Sequence, residues 1–297
     1  MSIPPRPIGD LIREWRQRRR LSQLDLACDA EISTKHVSFL ESGRAVPDRE
    51  MLLHLADRLA IPLRDRNLML SAAGFPPDYH ERVLDDPEFH VARDGIEAIL
   101  SMHEPNPAAA INRHWTMIAA NRAILNLMSG VDPLLLTPPV NVIRVALHPA
   151  GLAPRIINLL DWRRMTIARL RQQIDATGDP VLVDLVEEVR DYPIPPGLSS
   201  SQLLAREPDT IAVPLRLATV NGPLAFFSTT TVFAAPLDIT LSELSIETFL
   251  PADASTATIL RYIANQNADA IGHTCPVNMP PVNRRADPAA APRAAAG

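Results

Sequence analysis

The chain has 297 residues, of which 46% are hydrophobic, and is long enough to form two separate cores. Its formal net charge of −5 excludes a protein that coats nucleic acid without sequence preference and favours a localised basic surface. Two cysteines far apart in the sequence, Cys28 and Cys275, exclude a disulfide framework and a cysteine-based zinc site. Because the sequence shows neither a signal peptide nor an apolar run of membrane-spanning length, we expect a cytoplasmic protein without a membrane partner.

Two short helical patterns separated by a tight turn occupy residues 21–47. Ser22 has the place of an N-cap at the start of the first helix, and Ser33 has that place in the second. In the second helix Val37 and Leu40 are three residues apart and therefore face inward together. This arrangement is typical of a helix-turn-helix.

The outward side of the second helix carries small or hydrogen-bonding side chains and one cation, Lys35, which is the only lysine among the 29 basic residues of the chain. A helix with such a surface can enter the major groove and contact base edges, so the pattern predicts DNA binding. Three alternatives stay open. The helix pair could be a packing or partner-binding unit, Lys35 could be an ordinary solvated lysine, and the arginines at 18–20 could either end a solvated helix or contact phosphate.

Three further helices complete the predicted first domain. An apolar face that includes Ile8 and Trp15 predicts a helix before the pair. Asp48 caps a fourth helix, and a fifth runs from about Pro62 to Gly74. Five short helices in this length predict a compact domain over residues 1–75.

The stretch from Ile8 to about Gly74 resembles the phage-repressor-like XRE regulators. The resemblance rests on SQ at 22–23, Ile-Ser at 32–33, LESG at 40–43 and the proline that follows them. It implies a DNA-contacting surface formed by Gln23, Ser33, Thr34, Lys35, Ser38, Phe39, Ser42 and Arg44.

The same resemblance assigns roles to these residues. Gln23 would hold a phosphate at the start of its helix, residues 42–44 would also contact phosphate, and the outward residues within 34–39 would meet base edges. Glu41 would pair with Arg16 inside the domain. Many relatives carry glutamine or arginine at two of the base-reading positions where this chain has threonine and phenylalanine, so the operator sequence cannot be transferred from them.

The elements of the second half follow a proline- and acid-rich stretch, residues 76–92, which predicts a connection between domains. The patterns after it predict a helix with Ala92, Ile96 and Ile99 on one face, two strands around a turn at Asn112–Arg113, a helix starting at Asn121, a strand at 141–147 and helices at 153–174 and 180–190.

The last ordered part changes to the alternating pattern of strands. Asn221-Gly222 between two such runs is a strong hairpin signal, and LSELSIETFL at 241–250 predicts one more strand. The alanine- and proline-rich residues 261–297 predict a disordered tail. The whole chain is therefore predicted to be α+β, with the five-helix domain followed, over residues 93–260, by a PAS-like antiparallel sheet with flanking helices.

A second resemblance, over about residues 90–255, is to the MmyB-like regulators, in which an XRE domain precedes a PAS-like ligand-binding domain. The residues that carry it are Trp115, Asn121, Asn141, Arg144, Trp162 and Arg171. The stretch YPIPPGLSSSQ at 192–202 departs from the aromatic segment that relatives have at this pocket wall. The resemblance implies an apolar pocket that takes a fatty-acid-like ligand.

The predicted ligand site consists of Trp115, Asn121, Arg144 and Trp162. Arg144 lies in an otherwise apolar run, where a ligand carboxylate could satisfy its guanidinium through two hydrogen bonds; a pair with an internal acidic residue is the alternative. The alternatives are that the two tryptophans belong to the core, as tryptophans more often do, and that Asn121 is a helix cap. Since only 4% of the residues are aromatic, aliphatic side chains would line the pocket and suit an alkyl chain.

No pattern in the sequence predicts catalysis. Phosphate-binding glycine loops and nucleophile elbows are missing, and the eight histidines lack metal-ligand spacing, so we expect neither an enzyme nor a required cofactor. The predicted function is a ligand-responsive, sequence-specific transcription regulator that binds a double-stranded DNA operator as a homodimer. The alternative is a regulator whose C-terminal domain binds a protein partner instead of a small molecule.

Overall fold

The computed structural model describes residues 6–84, 86–193, 213–234 and 236–270. Its first part consists of the helices α1 (Ile8–Arg18), α2 (Gln23–Asp29), α3 (Thr34–Glu41), α4 (Arg49–Arg58) and α5 (Leu63–Ala72). The five helices predicted from the sequence are therefore confirmed.

Capping side chains determine where these helices begin. The Ser22 hydroxyl accepts a hydrogen bond from the Asp25 N–H, and the Asp25 carboxylate accepts one from the Ser22 N–H, which forms a capping box. Ser33 and Asp48 cap α3 and α4 through one side-chain bond each. The inward faces of the five helices share one apolar core, which includes Ile12, Leu26, Leu40, Leu55, Leu59 and Leu70.

Gly9 allows α1 to lie directly against the end of α3. A Cβ at this position would be 2.5 Å from the carbonyl oxygen of Leu40 and 2.8 Å from that of Glu41. These are backbone atoms, so a larger residue would push the two helices apart. The close approach fixes α3 relative to α1.

The second part contains a five-stranded sheet with helices around it. The strands are β1 (Ala108–Ile111), β2 (Met117–Ala120), β3 (Leu215–Thr219), β4 (Gly222–Val232) and β5 (Ser245–Pro251). The helices are α6 (His90–Met102), α7 (Arg122–Leu127), α8 (Val142–Leu147), α9 (Leu159–Thr177), α10 (Pro180–Asp191), α11 (Ile239–Ser242) and α12 (Ala254–Ala270). The strand order is β2–β1–β5–β4–β3, and all neighbouring strands are antiparallel. The predicted α+β fold is confirmed.

The hairpin predicted at Asn221-Gly222 joins β3 to β4, but its two-residue loop is residues 220–221, one position earlier than predicted, and Gly222 begins β4. Thr219 pairs with Gly222, whose φ of 114° is a left-handed conformation that side chains disfavour. β4 continues for 11 residues and pairs with β5 along its second half, so the hairpin places β3 at the edge of the sheet.

The prediction of a strand at 141–147 is wrong, because residues 142–147 form α8. The Asn141 side chain accepts hydrogen bonds from the N–H groups of Ile143 and Arg144 and thereby starts a helix. A short apolar run does not by itself distinguish a buried strand from a buried helical turn.

Several boundaries also differ from the sequence prediction. Helix α9 begins at Leu159 rather than at 153, and β5 begins at Ser245 rather than at 241, because residues 239–242 form α11. The second strand begins at Met117 rather than at Trp115, because Trp115 has a φ of 63° and turns the chain out of the strand conformation. Helix α12 continues to Ala270 and includes the first residues of the tail that was predicted to be disordered. Residues 271–297, and residues 194–202 of the departing stretch, lie outside the described residues.

The two parts of the molecule contact each other through α1 and α5. Arg64 of α5 forms ion pairs with Glu243, with Nε 2.7 Å from Oε1, and with Glu81, with Nη2 2.7 Å from Oε1. Arg19, directly after α1, donates from Nη1 to the carbonyl oxygen of Ala176 at 3.1 Å. These contacts define a junction between the helical part and the part that contains the sheet.

Candidate DNA-contacting surface and ligand cavity

The first candidate site is the outward side of α3. Thr34 and Lys35 in its first turn are exposed, and Ser38 and Phe39 are half-buried. The Phe39 ring centroid lies 5.5 Å from Lys35 Nζ and 5.9 Å from the guanidinium carbon of Arg44. Helix α3 and the residues directly after it therefore present two cations and several hydrogen-bonding groups on one surface, which is the chemistry that contacts with phosphates and base edges require.

The other predicted contact residues border this surface. Ser33 and Ser42 flank α3 and are exposed; the Ser33 hydroxyl caps the helix, and the Ser42 hydroxyl donates to the Phe39 carbonyl at 3.3 Å. Gln23 is half-buried and donates from Nε2 to Glu41 Oε2 at 2.8 Å. The side-chain amide of Gln23 is thus held in place at the start of α2.

Glu41 joins three helices beneath this surface. Its side chain is only 1% exposed, and Arg16 donates from Nε to Oε1 at 2.6 Å and from Nη2 to Oε2 at 3.0 Å, which confirms the predicted pair. Burial acts to raise the pKa of Glu41, but the hydrogen bonds from Arg16 and Gln23, with the charges of Arg16 and Arg13, outweigh it and lower that pKa below its usual range. Glu41 therefore remains ionised in the interior.

Arg18 and Arg19 face the junction between the two parts rather than the α3 surface. The Arg18 guanidinium lies against Gly178, where a Cβ would be 1.9 Å from Nη1. Arg19 donates from Nε to the carbonyl of Leu59 at 2.7 Å and from Nη2 to that of Ala60 at 2.8 Å. The sequence left open whether these two residues end a solvated helix or contact phosphate. The structure instead shows both in contacts within the molecule.

The second candidate site is an apolar cavity between the sheet and helices α7, α8 and α9. The cavity encloses about 100 Å³, and both Trp115 and Trp162 line it. Its walls are otherwise mainly aliphatic and include Ile111, Ile143, Leu152, Met165, Leu217 and Phe249.

One end of this cavity is charged. Arg169 of α9 donates from Nη1 to Glu247 Oε2 at 3.0 Å, and Thr230 donates from Oγ1 to Glu247 Oε1 at 2.7 Å. The guanidinium carbon of Arg169 lies 4.5 Å from the centroid of the Trp115 ring. The side chain of Glu247 is 6% exposed and that of Arg169 is 36% exposed, so the cation is the accessible member of the pair.

The sequence prediction did not include Arg169 and Glu247, although a feature of the sequence marks each of them. Arg169 follows Trp162 by seven residues and therefore lies on the same face of α9. Glu247 is the one charged residue of β5. These signals concern each residue by itself; that the two form a pair depends on the packing of α9 against β5.

Arg144 lies outside the residues that line the cavity. Its Nη2 is 2.7 Å from Glu188 Oε2 on α10, and its side chain is 46% exposed. The prediction that it anchors a ligand is corrected, because α8 directs Arg144 to this surface ion pair, which is the alternative with an acidic partner. Asn121 does not line the cavity either, since its Oδ1 accepts from the Ile124 N–H at 3.1 Å and caps α7.

An open apolar depression of about 300 Å³ adjoins the cavity. Met128 lines both, and the floor of the depression includes Met117, Leu125, Val131, Leu136 and Val140. Among the described residues, no cluster of histidine, cysteine or acidic side chains has metal-binding geometry. None of the helices described is both long enough and apolar enough to cross a bilayer.

Comparison with known protein families identifies the family of this chain. Residues 92–263, more than half of its length, match the family model of the MmyB-like transcription regulator ligand binding domain. The chain belongs to the MmyB-like transcription regulators. Residues 7–69 of this regulator match the model of a helix-turn-helix domain. Both resemblances inferred from the sequence are confirmed.

The regulator is also similar to a protein named multiprotein-bridging factor 1 in two organisms. It is 34% identical to that of Debaryomyces hansenii and 31% identical to that of Candida albicans, over 61 residues in each case. These alignments cover 20% of this chain and 41% and 40% of the relatives. The chain therefore spans about two fifths of the length of the curated relatives it matches, and the likeness concerns a short shared segment.

Proposed function

We propose that this chain is a transcription regulator that binds a specific double-stranded DNA site in the cytoplasm and responds to a small amphiphilic ligand. One observation carries the proposal: the same chain holds an exposed helix-turn-helix surface and an apolar cavity with a charged end. Family membership supports this division of roles. The proposal includes no catalytic step and no cofactor.

The proposed ligand is a fatty acid or a similar amphiphile, with its head group at Arg169 and its alkyl chain between the aliphatic walls. In this proposal Arg169 takes the role first predicted for Arg144, because it is the cation among the residues that line the cavity. Each buried methylene contributes about 0.8 kcal/mol, so a chain of roughly ten carbons supplies micromolar affinity after ordering costs. The depression next to Met128 offers space for a longer tail.

Arg169→Gln should weaken binding of dodecanoic acid about tenfold while changing the affinity for dodecanol little. The reason is that a hydrogen bond to a charged group contributes roughly 1.5–3 kcal/mol, and only the acid presents a charge. Calorimetry with both ligands measures the difference. Arg144→Gln is the matched control, because it removes an arginine whose partner is Glu188 at the surface, and it should leave both affinities unchanged.

Equal losses for acid and alcohol in Arg169→Gln would remove this residue from the site. If neither ligand binds to the wild-type protein, the amphiphile proposal is wrong. Denaturing extraction and mass spectrometry of protein from its native host, together with a pull-down, then decide whether the cavity domain carries another small molecule or binds a protein partner.

Thr34→Ala and Lys35→Ala should each weaken binding to the specific DNA site by about 1–3 kcal/mol and leave binding to random DNA nearly intact. Both side chains are exposed in the first turn of α3, where a helix in the major groove meets base edges. The site is first selected from a random duplex pool with the wild-type protein, and affinities are then measured at one salt concentration. Equal weakening on both DNAs would show that the residues contact phosphate instead.

We propose that the regulator binds DNA as a homodimer. One recognition helix covers only a few base pairs, so specific affinity requires two half-sites about 34 Å apart on one side of the duplex. The part that contains the sheet is the proposed dimerisation element, because the helices of the first part share one apolar core among themselves. Light scattering should give twice the chain mass of 32.6 kDa, and a monomer both free and on DNA would contradict the proposal.

A further inference from the structure

We propose that occupancy of the cavity is transmitted to the DNA-binding helices through the turn that carries Trp115 and through the C-terminal end of α9. The inference rests on the proposed function in one respect, namely that the cavity receives a ligand. It specifies how that ligand regulates the first part of the molecule, and its test includes an arm that needs no ligand.

The cavity must enlarge to hold a ligand. It encloses about 100 Å³, whereas pockets that bury small molecules usually have about 300–1,000 Å³. A ligand therefore displaces side chains of the wall. This wall includes Trp115 and the face of α9 that carries Trp162, Met165 and Arg169.

Trp115 occupies an unfavourable backbone conformation next to the cavity. Its φ of 63° lies in the left-handed region, which bulky side chains rarely adopt. Contacts with α9 hold it there: Nε1 donates to Gln173 Oε1 at 2.9 Å, and the ring lies against the Arg169 guanidinium. Strained residues of this kind persist only while their surroundings hold them, so a ligand that shifts α9 or the indole ring releases the turn.

The residues before Trp115 reach the junction directly. His114 Nε2 is 2.9 Å from Asp179 Oδ2, and Arg113 Nη1 is 3.5 Å from Glu243 Oε1. Glu243 is also the partner of Arg64 on α5, at 2.7 Å. A chain of adjacent contacts thus leads from the cavity wall to a helix of the DNA-binding part.

The end of α9 makes a second connection, to α1. The helix is continuous over the seven residues from Arg169 to Ala176, a rise of roughly 10 Å, and the Ala176 carbonyl accepts a hydrogen bond from Arg19. Gly178 lies against Arg18, whose Nε is buried without a hydrogen-bond partner in the part of the chain that the structure describes. A buried polar atom left unpaired marks this contact as one that gains hydrogen bonds when it opens.

Hydrogen exchange of the full chain tests the inference. Saturating dodecanoic acid, with saturation measured by calorimetry, should speed amide exchange about tenfold in residues 16–20 and 66–69, because the contacts across the junction loosen. Ala146→Phe places a ring at the cavity wall and should produce the same change without ligand. If this variant does not fold, Met165→Phe replaces it.

Arg64→Ala and Arg66→Ala form a matched pair of variants. Both residues are arginines of α5 in ion pairs, but Arg66 bonds to Asp57 and to the Ile61 carbonyl within the first part, and Arg64 bonds to Glu243 across the junction. Exchange in residues 66–69 should already be fast in Arg64→Ala and respond little to the acid. Arg66→Ala should retain the response.

The outcomes separate the two proposals. If dodecanoic acid does not bind, the ligand assignment fails, and the cavity-filling variants alone decide the coupling. If the acid binds and neither the acid nor the cavity-filling variants change exchange in residues 16–20 and 66–69, the coupling proposal is overturned. A response of equal size in Arg64→Ala and Arg66→Ala would overturn the route through Glu243.

Discussion

Glu41→Gln should lower the free energy of unfolding of the helical part by about 3–5 kcal/mol at pH 7. The side chain is 1% exposed, and the carboxylate accepts charged hydrogen bonds from Arg16 and one bond from Gln23. Removing its charge leaves the Arg16 guanidinium, itself 11% exposed, without a countercharge in the interior. Denaturant unfolding followed by circular dichroism measures the loss.

The contribution of Glu41 to the free energy of unfolding should decrease at acidic pH. Since the pKa of Glu41 is lowered in the folded state, its stabilisation is fully present above the unfolded value of about 4.3 and is lost as the pH falls through the folded value. The difference between wild type and Glu41→Gln should therefore stay constant from pH 6 to 8 and shrink below about pH 4. Glu14→Gln is the control. Glu14 also pairs with arginines, but its side chain is 38% exposed, so this substitution should lower the free energy of unfolding by less than about 1 kcal/mol. Similar losses in both variants would contradict the interior role of Glu41.

Ala146→Phe should reduce the affinity for dodecanoic acid at least a hundredfold. Ala146 lies on α8 in the cavity wall, and the cavity encloses about 100 Å³, so an added phenyl ring takes the space of the alkyl chain. Losing the burial of even four methylenes removes about 3 kcal/mol, which is more than a hundredfold in affinity. Calorimetry measures the affinity, and a thermal melt verifies folding.

Ala98→Phe provides the control for this substitution. Ala98 is exposed on α6 and does not line the cavity, so the same chemical change there should leave ligand binding unaltered. Retained binding in Ala146→Phe would place the ligand elsewhere, with the open depression near Met128 as the next site to examine.

The helix-turn-helix could be predicted from the sequence because its determinants are local. Ser22 with Asp25, Ser33 and Asp48 each cap a helix within three residues of themselves, and the inward residues follow at helical spacing. The hairpin at Gly222 is equally local, since a two-residue turn determines it. Such signals need no knowledge of the rest of the fold.

The ligand site could not be predicted in the same way, because it depends on contacts between distant elements. Arg144 and Arg169 are both arginines in apolar surroundings of the sequence, and only the packing of α8 against α10, and of α9 against β5, distinguishes them. The strand predicted at 141–147 placed Arg144 inside the sheet. The wrong prediction of this strand therefore led to Arg144, and not Arg169, as the expected ligand anchor.

The contact at Gly9 limits what a ligand can change in DNA recognition. Because α1 touches the carbonyl oxygens at the end of α3, the two helices move as one body, and a force applied at Arg19 cannot tilt α3 alone. The base preference of each half-site should therefore be the same with and without ligand. If the proposed dimer binds a ligand, we expect the ligand to change the distance and angle between two unchanged recognition helices. Operators that differ only in the length of their spacer should then respond to the ligand differently.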